Sequence, residues 1–578
     1  MRTARVLGAV VTAVTLLSPL AASPAGASPG RERVVVQGRA GGAAAADAVH
    51  RAGGTVTRDL PIVGGVAATV PAAALRALAA DPRVRAVTPD AEVRVSAIVG
   101  DDNTSTVKSV YREEIGATAL AAATGATGRG VRVALVDTGV SDHPDLAGRV
   151  VSVQDPGGTP APLRTDVRCV DFSGEGDCVD RYGHGTVLAG LIAGSGVSSA
   201  GTFTGVAPGA EIVSLKIAGR TGAADVSKVL AAIQWVVSFR EKYGIKVLNL
   251  SLGTNSKVPY YLDPLNLAVE QAWRSGITVV VAAGNSGSAP GTIAKPADDP
   301  LVVTVGATDD RETPAISDDR LPHFSSRGPV TTPLGTYDKP DVVAPGARLV
   351  SLRLPDSYVE QVAGPGQFAG TPYAAYRRGS GTSMATAVAS GAVALLLQRH
   401  PGWTPDRVKY ALTATAHKVA AREPQLVGSG LIDVNAATVA PAGVANAGVG
   451  TLSNGMGNLD GSRGDVRTGS CSGADECARC DVQADCPAVS GDQTAQGRKY
   501  VSDQYAKGNW TDSNWYTSQW AAPLLDTGWY GSSWLGSSWL GSSWLGSSWL
   551  GSSWYGNEDT ADDYGKPGRG GAWYGAWS

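Results

Sequence analysis

From about residue 111 to 439, short apolar runs rich in β-branched residues alternate with longer stretches patterned as helices. Residues 131–136, 212–217, 247–252, 278–282 and 301–305 are apolar almost throughout rather than alternating, the pattern of strands buried on both faces. Between or after them, 226–240, 265–275, 386–400 and 404–416 are long enough and periodic enough for helices. Strands hidden on both sides need helices above and below. The fold class that follows is α/β, a doubly wound and mostly parallel sheet. Such sheets present functional groups beyond the carboxyl ends of their strands.

Three glycine-marked turns sit where that rule directs attention. The run 131–136 ends in Asp137-Thr138-Gly139. Alone, this Asp could do no more than cap a strand–loop turn. In Asp180-Arg181-Tyr182-Gly183-His184-Gly185-Thr186, a histidine lies between two glycines where an apolar helix-like run begins. Neither glycine shields the ring, which favours a working imidazole over a structural one. Finally, Gly379-Ser380-Gly381-Thr382-Ser383-Met384-Ala385 places a serine just ahead of the apolar run 388–397. Read alone, Ser383 is a helix N-cap in a Gly/Ser loop. A serine hydroxyl becomes a useful nucleophile only when a base takes its proton in an accessible site.

Acid, histidine and serine in this chain order, each in its own turn, match the order found in subtilisin. Over about 30–440 the chain resembles the subtilisin-like serine peptidases. The matching segments include Asp137-Thr138-Gly139, His184-Gly185-Thr186 and Gly381-Thr382-Ser383-Met384-Ala385. Phe324-Ser325-Ser326-Arg327-Gly328 and Lys339-Pro340-Asp341-Val342-Val343-Ala344-Pro345-Gly346 also fit. The resemblance implies a triad of Asp137, His184 and Ser383, with Asn285 as oxyanion donor at the end of the run 279–285. It implies substrate strands at Ser251-Leu252-Gly253 and Gly222-Ala223, with Ala282-Ala283-Gly284 as small pocket walls. These walls, with no acidic cluster beside them, lead to an expected apolar P1 preference and broad endopeptidase action. A dedicated maturation protease with few clients stays open as an alternative. The chemistry needs no cofactor. Structural calcium is common in the family, and no ligands are assigned to it. Val187-Leu188 stands where many relatives carry His-Val, a departure that touches packing and not the triad.

The remaining organisation is read from composition. Net charge is −3 over 578 residues, which argues against nucleic acid as the main partner. Arg2 and Arg5, the apolar run 6–17 and Ala25-Gly26-Ala27 read as a secretory signal peptide over 1–27. No later stretch has 18 uninterrupted apolar residues, so no transmembrane helix is expected and the product is secreted, extracellular or surface-associated. Residues 28–100 read as a small α+β domain, with strands at 33–37, 66–70 and 84–87 and a helix over 72–80. This domain resembles the family's inhibitory propeptide, so the chain's own propeptide is an expected partner beside protein or peptide substrates. The peptidase domain is placed at 105–440.

Six cysteines in an exported chain read as disulfides before metal ligands. Cys169 and Cys178 flank the loop leading to His184. Cys471, Cys477, Cys480 and Cys486 cluster in a Gly-rich linker (441–508), where two local disulfides are favoured over a zinc knot because the outer gaps do not suit zinc. The tail 509–578 repeats Gly-Ser-Ser-Trp-Leu, and a period of five builds neither a one-sided helix nor a one-sided strand. It reads either as an adhesive ribbon for a cell-wall or surface polymer or as a plain low-complexity extension.

Overall fold

The computed structural model describes residues 30–95, 108–153, 168–254, 256, 258–287, 289–363, 368, 370–419 and 424–455. The signal-peptide segment, the four cysteines from Cys471 to Cys486 and the Trp-rich tail lie outside these residues.

The chain first builds a small unit from β1 (Arg31–Gly38), α1 (Gly42–Arg51), β2 (Thr55–Leu60), β3 (Gly65–Pro71), α2 (Leu75–Ala79) and β4 (Val84–Pro89). Its four strands form an antiparallel sheet ordered β2-β3-β1-β4. The expected strands are present, but the helix expected over 72–80 is divided into a 3₁₀ turn, Ala72–Ala74, followed by α2. Alternation along the strands gives the sheet two apolar faces. Val34, Val36, Val66, Ala68 and Val70 close on Ala45, Ala48 and Val49 of α1 and Leu78 of α2. Val35 and Ala67, pointing the other way, join the core of the larger unit.

After β5 (Glu92–Val95), the larger unit opens with α3 (Tyr111–Glu114) and α4 (Ala117–Thr124). It continues with β6 (Arg132–Asp137), β7 (Cys169–Asp171), α5 (His184–Ala193), β8 (Glu211–Lys216), β9 (Ala223–Asp225), α6 (Val226–Tyr243), β10 (Ile245–Leu250), β11 (Leu252–Gly253) and α7 (Pro264–Arg274). Then follow β12 (Thr278–Ala282), β13 (Val303–Thr308), the hairpin β14 (Val330–Thr332) and β15 (Gly335–Tyr337), and β16 (Val342–Pro345). The chain goes on through β17 (Leu349–Leu352), α8 (Tyr358–Ala363), β18 (Tyr376–Gly379), α9 (Thr382–Arg399) and α10 (Pro405–Ala414). Seven strands form the expected parallel sheet, ordered β16-β13-β12-β10-β6-β8-β7 and flanked by helices. From β6 the chain fills β8 and β7 on one side, then returns to lay β10 on the other. The switch point therefore falls between β6 and β10, where a crevice opens beyond the strand ends. Helix α9 is buried all round from Thr382 to Leu397, which explains its unbroken apolar and small-residue sequence.

Residues 441–455, past the expected domain end at 440, are packed on the larger unit through Asn446 and Ser453. Asn446 Nδ2 donates to Asp406 Oδ1 (2.7 Å), and buried Ser453 donates its N–H to Glu270 Oε1 (2.7 Å).

Glu114 supplies a stability prediction. It is buried, and as a carboxylate neither of its oxygens meets a donor among the described residues. Burial first, then the charges of Asp319 and Asp310, push its carboxyl far up, so it holds a proton that it can share with Asp319. The folded chain thus keeps a proton that the unfolded chain releases above about pH 4.3. Stability is full below that pH and declines as pH rises through neutrality. Glu114→Gln removes the ionisation and keeps the shape. It should gain about 1–3 kcal/mol at pH 8, a rise of several degrees in Tm by calorimetry, with the gain fading towards pH 4. An equal gain at both pH values, or a loss at pH 8, contradicts this account.

Candidate active site

Asp137 ends β6 at the switch point, and its carboxylate faces His184, the first residue of α5. His184 Nδ1 lies 2.8 Å from Asp137 Oδ1 and 3.0 Å from Oδ2. Thr138 N–H also donates to Asp137 Oδ1 (2.8 Å), which fixes the carboxylate plane. With Nδ1 carrying the proton, Nε2 is the basic nitrogen. It is buried and has no hydrogen-bond partner among the described residues.

Ser383 sits in the first turn of α9, which begins at Thr382, with Gly381 rather than Ser383 before the helix. Its Oγ donates to Ser251 O (3.3 Å), the residue between β10 and β11. Asn285 lies just past β12. Its Oδ1 accepts from Thr382 N–H and Thr382 Oγ1–H, both at 2.9 Å, so Nδ2 points the other way. That Nδ2 is also buried without a partner among the described residues. Among the described residues a basic ring nitrogen and an amide donor are thus left without partners, and Ser383 is itself fully buried. Groups so arranged can remove a hydroxyl proton and stabilise an oxyanion.

The expected substrate residues form two facing edges. Gly222 precedes β9, which contains Ala223, and β11 consists of Leu252 and Gly253. Between them lies β5, antiparallel to both, with Val95 opposite Leu252, Arg94 opposite Gly253 and Ala223, and Val93 opposite Ala224. Ala282 and Ala283 are buried at the end of β12, and Gly284 follows at φ +106°. A Cβ on Gly284 would come within 3.0 Å of Ala294 Cβ and Ser326 Oγ, so the backbone here needs glycine for both conformation and room.

A family model for the subtilases matches residues 128–457. The chain belongs to the subtilase family. It is 38% identical to the serine protease AprX of Bacillus subtilis over 313 residues, which cover 53% of this chain and 66% of AprX. With subtilisin Savinase of Lederbergia lenta it shares 35% identity over 314 residues, 54% of this chain and 93% of that one. The solved structure of fervidolysin from Fervidobacterium pennivorans, a keratinolytic enzyme related to subtilisin, is similar at a TM-score of 0.53 and 25% identity. That match covers 71% of this chain and 61% of the other.

In this subtilase a further carboxylate, which sequence reasoning left without a role, ties the acid to the histidine. Asp180 is fully buried, and burial raises its carboxyl against several opposing hydrogen bonds. Its Oδ1 accepts from Thr138 Oγ1–H and Gly183 N–H, both at 2.7 Å. Oδ2 accepts from Thr186 N–H and Thr186 Oγ1–H, both at 2.8 Å. One side chain therefore bridges the residue after Asp137 to the turn that carries His184. Two residues earlier, Cys178 is disulfide-bonded to Cys169, as their spacing suggested. The closed loop is held further by Lys216, whose buried Nζ meets Glu175 Oε2 (2.7 Å), Asp177 Oδ1 (3.1 Å) and Val179 O (2.8 Å).

Calcium receives no ligand set. Among the described residues no group of three or more His, Cys, Asp or Glu side chains is placed to hold a metal ion. The buried Asp145 carboxylate already accepts from Ser198 N–H (2.9 Å) and Tyr376 O–H (2.6 Å). No helix among the described residues is long and apolar enough to cross a membrane.

Proposed function

We propose that the protein is a secreted serine endopeptidase that first cuts off its own N-terminal unit. Ser383 Oγ attacks the peptide carbonyl carbon while its proton passes to His184 Nε2, and Asp137 stabilises the imidazolium. Asn285 Nδ2–H donates to the oxyanion. Collapse expels the amine, which takes the proton from His184, and leaves an acyl-enzyme. Water deprotonated by His184 then attacks the acyl carbon, and the acid departs with Ser383 restored.

The observation that supports this reading is the seat of β5. Substrate bound by strand addition is held through backbone hydrogen bonds that any sequence can make, with pockets adding preference. The chain's own Glu92–Val95 occupies the groove in that manner, with Val93 buried against the larger unit. The small, uncharged walls at Ala282, Ala283, Gly284 and Gly253 favour an uncharged P1 residue, apolar in general substrates and the small Ser96 at the chain's own cut. Ser251, whose carbonyl accepts from Ser383 Oγ, is the neighbour of Leu252, the partner of Val95, so we propose that the cut falls one residue beyond Val95, after Ser96.

The full chain, expressed in an exporting host, should be recovered from the medium with a new first residue at Ala97, read by intact mass and N-terminal sequencing. A first residue other than Ala97 or its immediate neighbours rejects the register. Recovery of the uncut chain from the cells alone rejects both export and self-processing.

A further inference from the structure

Residues 441–455 run as a strap along the larger unit. Arg407 holds its start through the carbonyls of Ala440 (2.7 Å) and Pro441 (2.8 Å). Asn446 fixes its middle by donating to Asp406 Oδ1 (2.7 Å) and Leu301 O (3.0 Å). Near its end, Tyr260 O–H donates to Thr451 O (3.2 Å), Ser453 Oγ–H to Asp263 O (2.8 Å) and Asn454 N–H to Tyr261 O (2.9 Å). All of these partners belong to the larger unit, so the strap is fixed without help from the N-terminal unit.

Its last described residue reaches across the seam. Gly455 is buried at φ +66°, and a Cβ there would lie 2.8 Å from Gln37 Nε2 and 2.9 Å from Leu267 Cδ2. Gln37 is on β1 of the N-terminal unit, buried, with Nε2 donating to Val63 O (2.8 Å). Leu267 is on α7. The strap's end therefore wedges between the two units with only a glycine's thickness to spare.

We propose that Ser453–Gly455 is a latch on the N-terminal unit, holding it to the peptidase domain after the cut and setting how long inhibition lasts. This rests on the reading of that unit as a removable inhibitor. The contact is separate from the groove. β5 fills the groove between β9 and β11, whereas the latch meets Gln37 on β1, so the two grips should be adjustable independently.

The experiment uses the full chain and follows self-cleavage by gel and the lag before peptidase activity emerges. Gly455→Asn keeps a residue that tolerates left-handed backbone and adds a side chain in the seam. It should speed release of the cleaved unit on the order of ten-fold, with the cleavage rate and the final kcat unchanged. Gln37→Ala opens room on the other side, so in the double variant the two changes should offset each other rather than add. Ser453→Ala, which loses the bond to Asp263 O and the one from Gly455 N–H (3.2 Å), should also speed release and serves if Gly455→Asn does not fold. Release within two-fold of wild type in both Gly455→Asn and Ser453→Ala, or strictly additive effects in the double variant, overturns the latch. Val93→Asp, which places a charge in the groove strand, separates the two readings. If it too leaves the lag unchanged, the inhibitor reading fails and the latch with it. If it shortens the lag while Gly455→Asn and Ser453→Ala do not, the latch alone fails.

Discussion

Replacing Ser383 with alanine should abolish peptide hydrolysis and leave the N-terminal unit attached. The drop in kcat is expected on the order of 10⁶, the size of loss known for the nucleophile of subtilisin, a relative of this chain. Structure argues that the variant folds. Ser383 lies inside α9, where alanine is the best helix former, and the bond its Oγ donates to Ser251 O is long at 3.3 Å. The variant should therefore melt within a few degrees of wild type while mass spectrometry finds residues on both sides of the 96–97 bond in one chain. Maturation of Ser383→Ala in a host stripped of other proteases contradicts self-processing. Turnover within ten-fold of wild type contradicts the nucleophile assignment.

The parallel sheet was legible because a strand buried on both faces has to be apolar at every position, as in Val133, Ala134, Leu135 and Val136. Where that condition lapses, so does legibility. β7 has three residues at the sheet edge, and β2 alternates exposed and half-buried positions through Thr55, Val56, Thr57 and Arg58. The run 247–252 reads as one strand, yet β10 stops at Leu250 and Leu252 pairs with β5 instead. Periodicity reports burial and does not name the pairing partner. β5 itself, Glu-Val-Arg-Val, carries no strand signal at four residues. The two edges it meets make it a strand.

The same limit governs the site. Asp137, His184 and Ser383 stand out in the sequence because glycine turns mark them, and the structure brings Asp137 and His184 together. Helix α9 starts four residues ahead of the expected 386 because Thr382 is recruited by Asn285, a contact across 97 residues of chain. Asp180 was unreadable for a similar reason. Its bonds reach back to Thr138 and forward to Thr186, and no local pattern distinguishes such a carboxylate from a loop acid. The strap beyond 440 has the Gly- and Ala-rich composition of a linker, and it is packed through backbone groups and two short polar side chains, Asn446 and Ser453, whose partners composition does not reveal.

The arrangement around Asp137 makes the second large prediction specific to this geometry. In Asp137→Asn, Thr138 N–H, now 2.8 Å from Oδ1, should keep the amide oxygen at that position. The amide nitrogen then occupies the Oδ2 position, 3.0 Å from His184 Nδ1, so one of the ring's two acceptors becomes a donor and the other, Oδ1 at 2.8 Å, is an uncharged amide oxygen shared with Thr138 N–H. The hold on the Nδ1 proton weakens, and the tautomer protonated on Nε2, the nitrogen that accepts from Ser383 in the proposed mechanism, gains population. A general base in the wrong tautomer cannot act, and the equivalent Asp-to-Asn change in serine proteases of the trypsin type costs about 10⁴ in kcat. Because the amide matches the carboxylate in shape, KM and Tm should stay close to wild type while kcat falls and the N-terminal unit is cut correspondingly slowly. Steady-state kinetics on a small peptide, with calorimetry on the same preparation, decides the point. A loss of less than ten-fold in kcat, or one carried mainly by KM, means that Asp137 does not set the tautomer of His184.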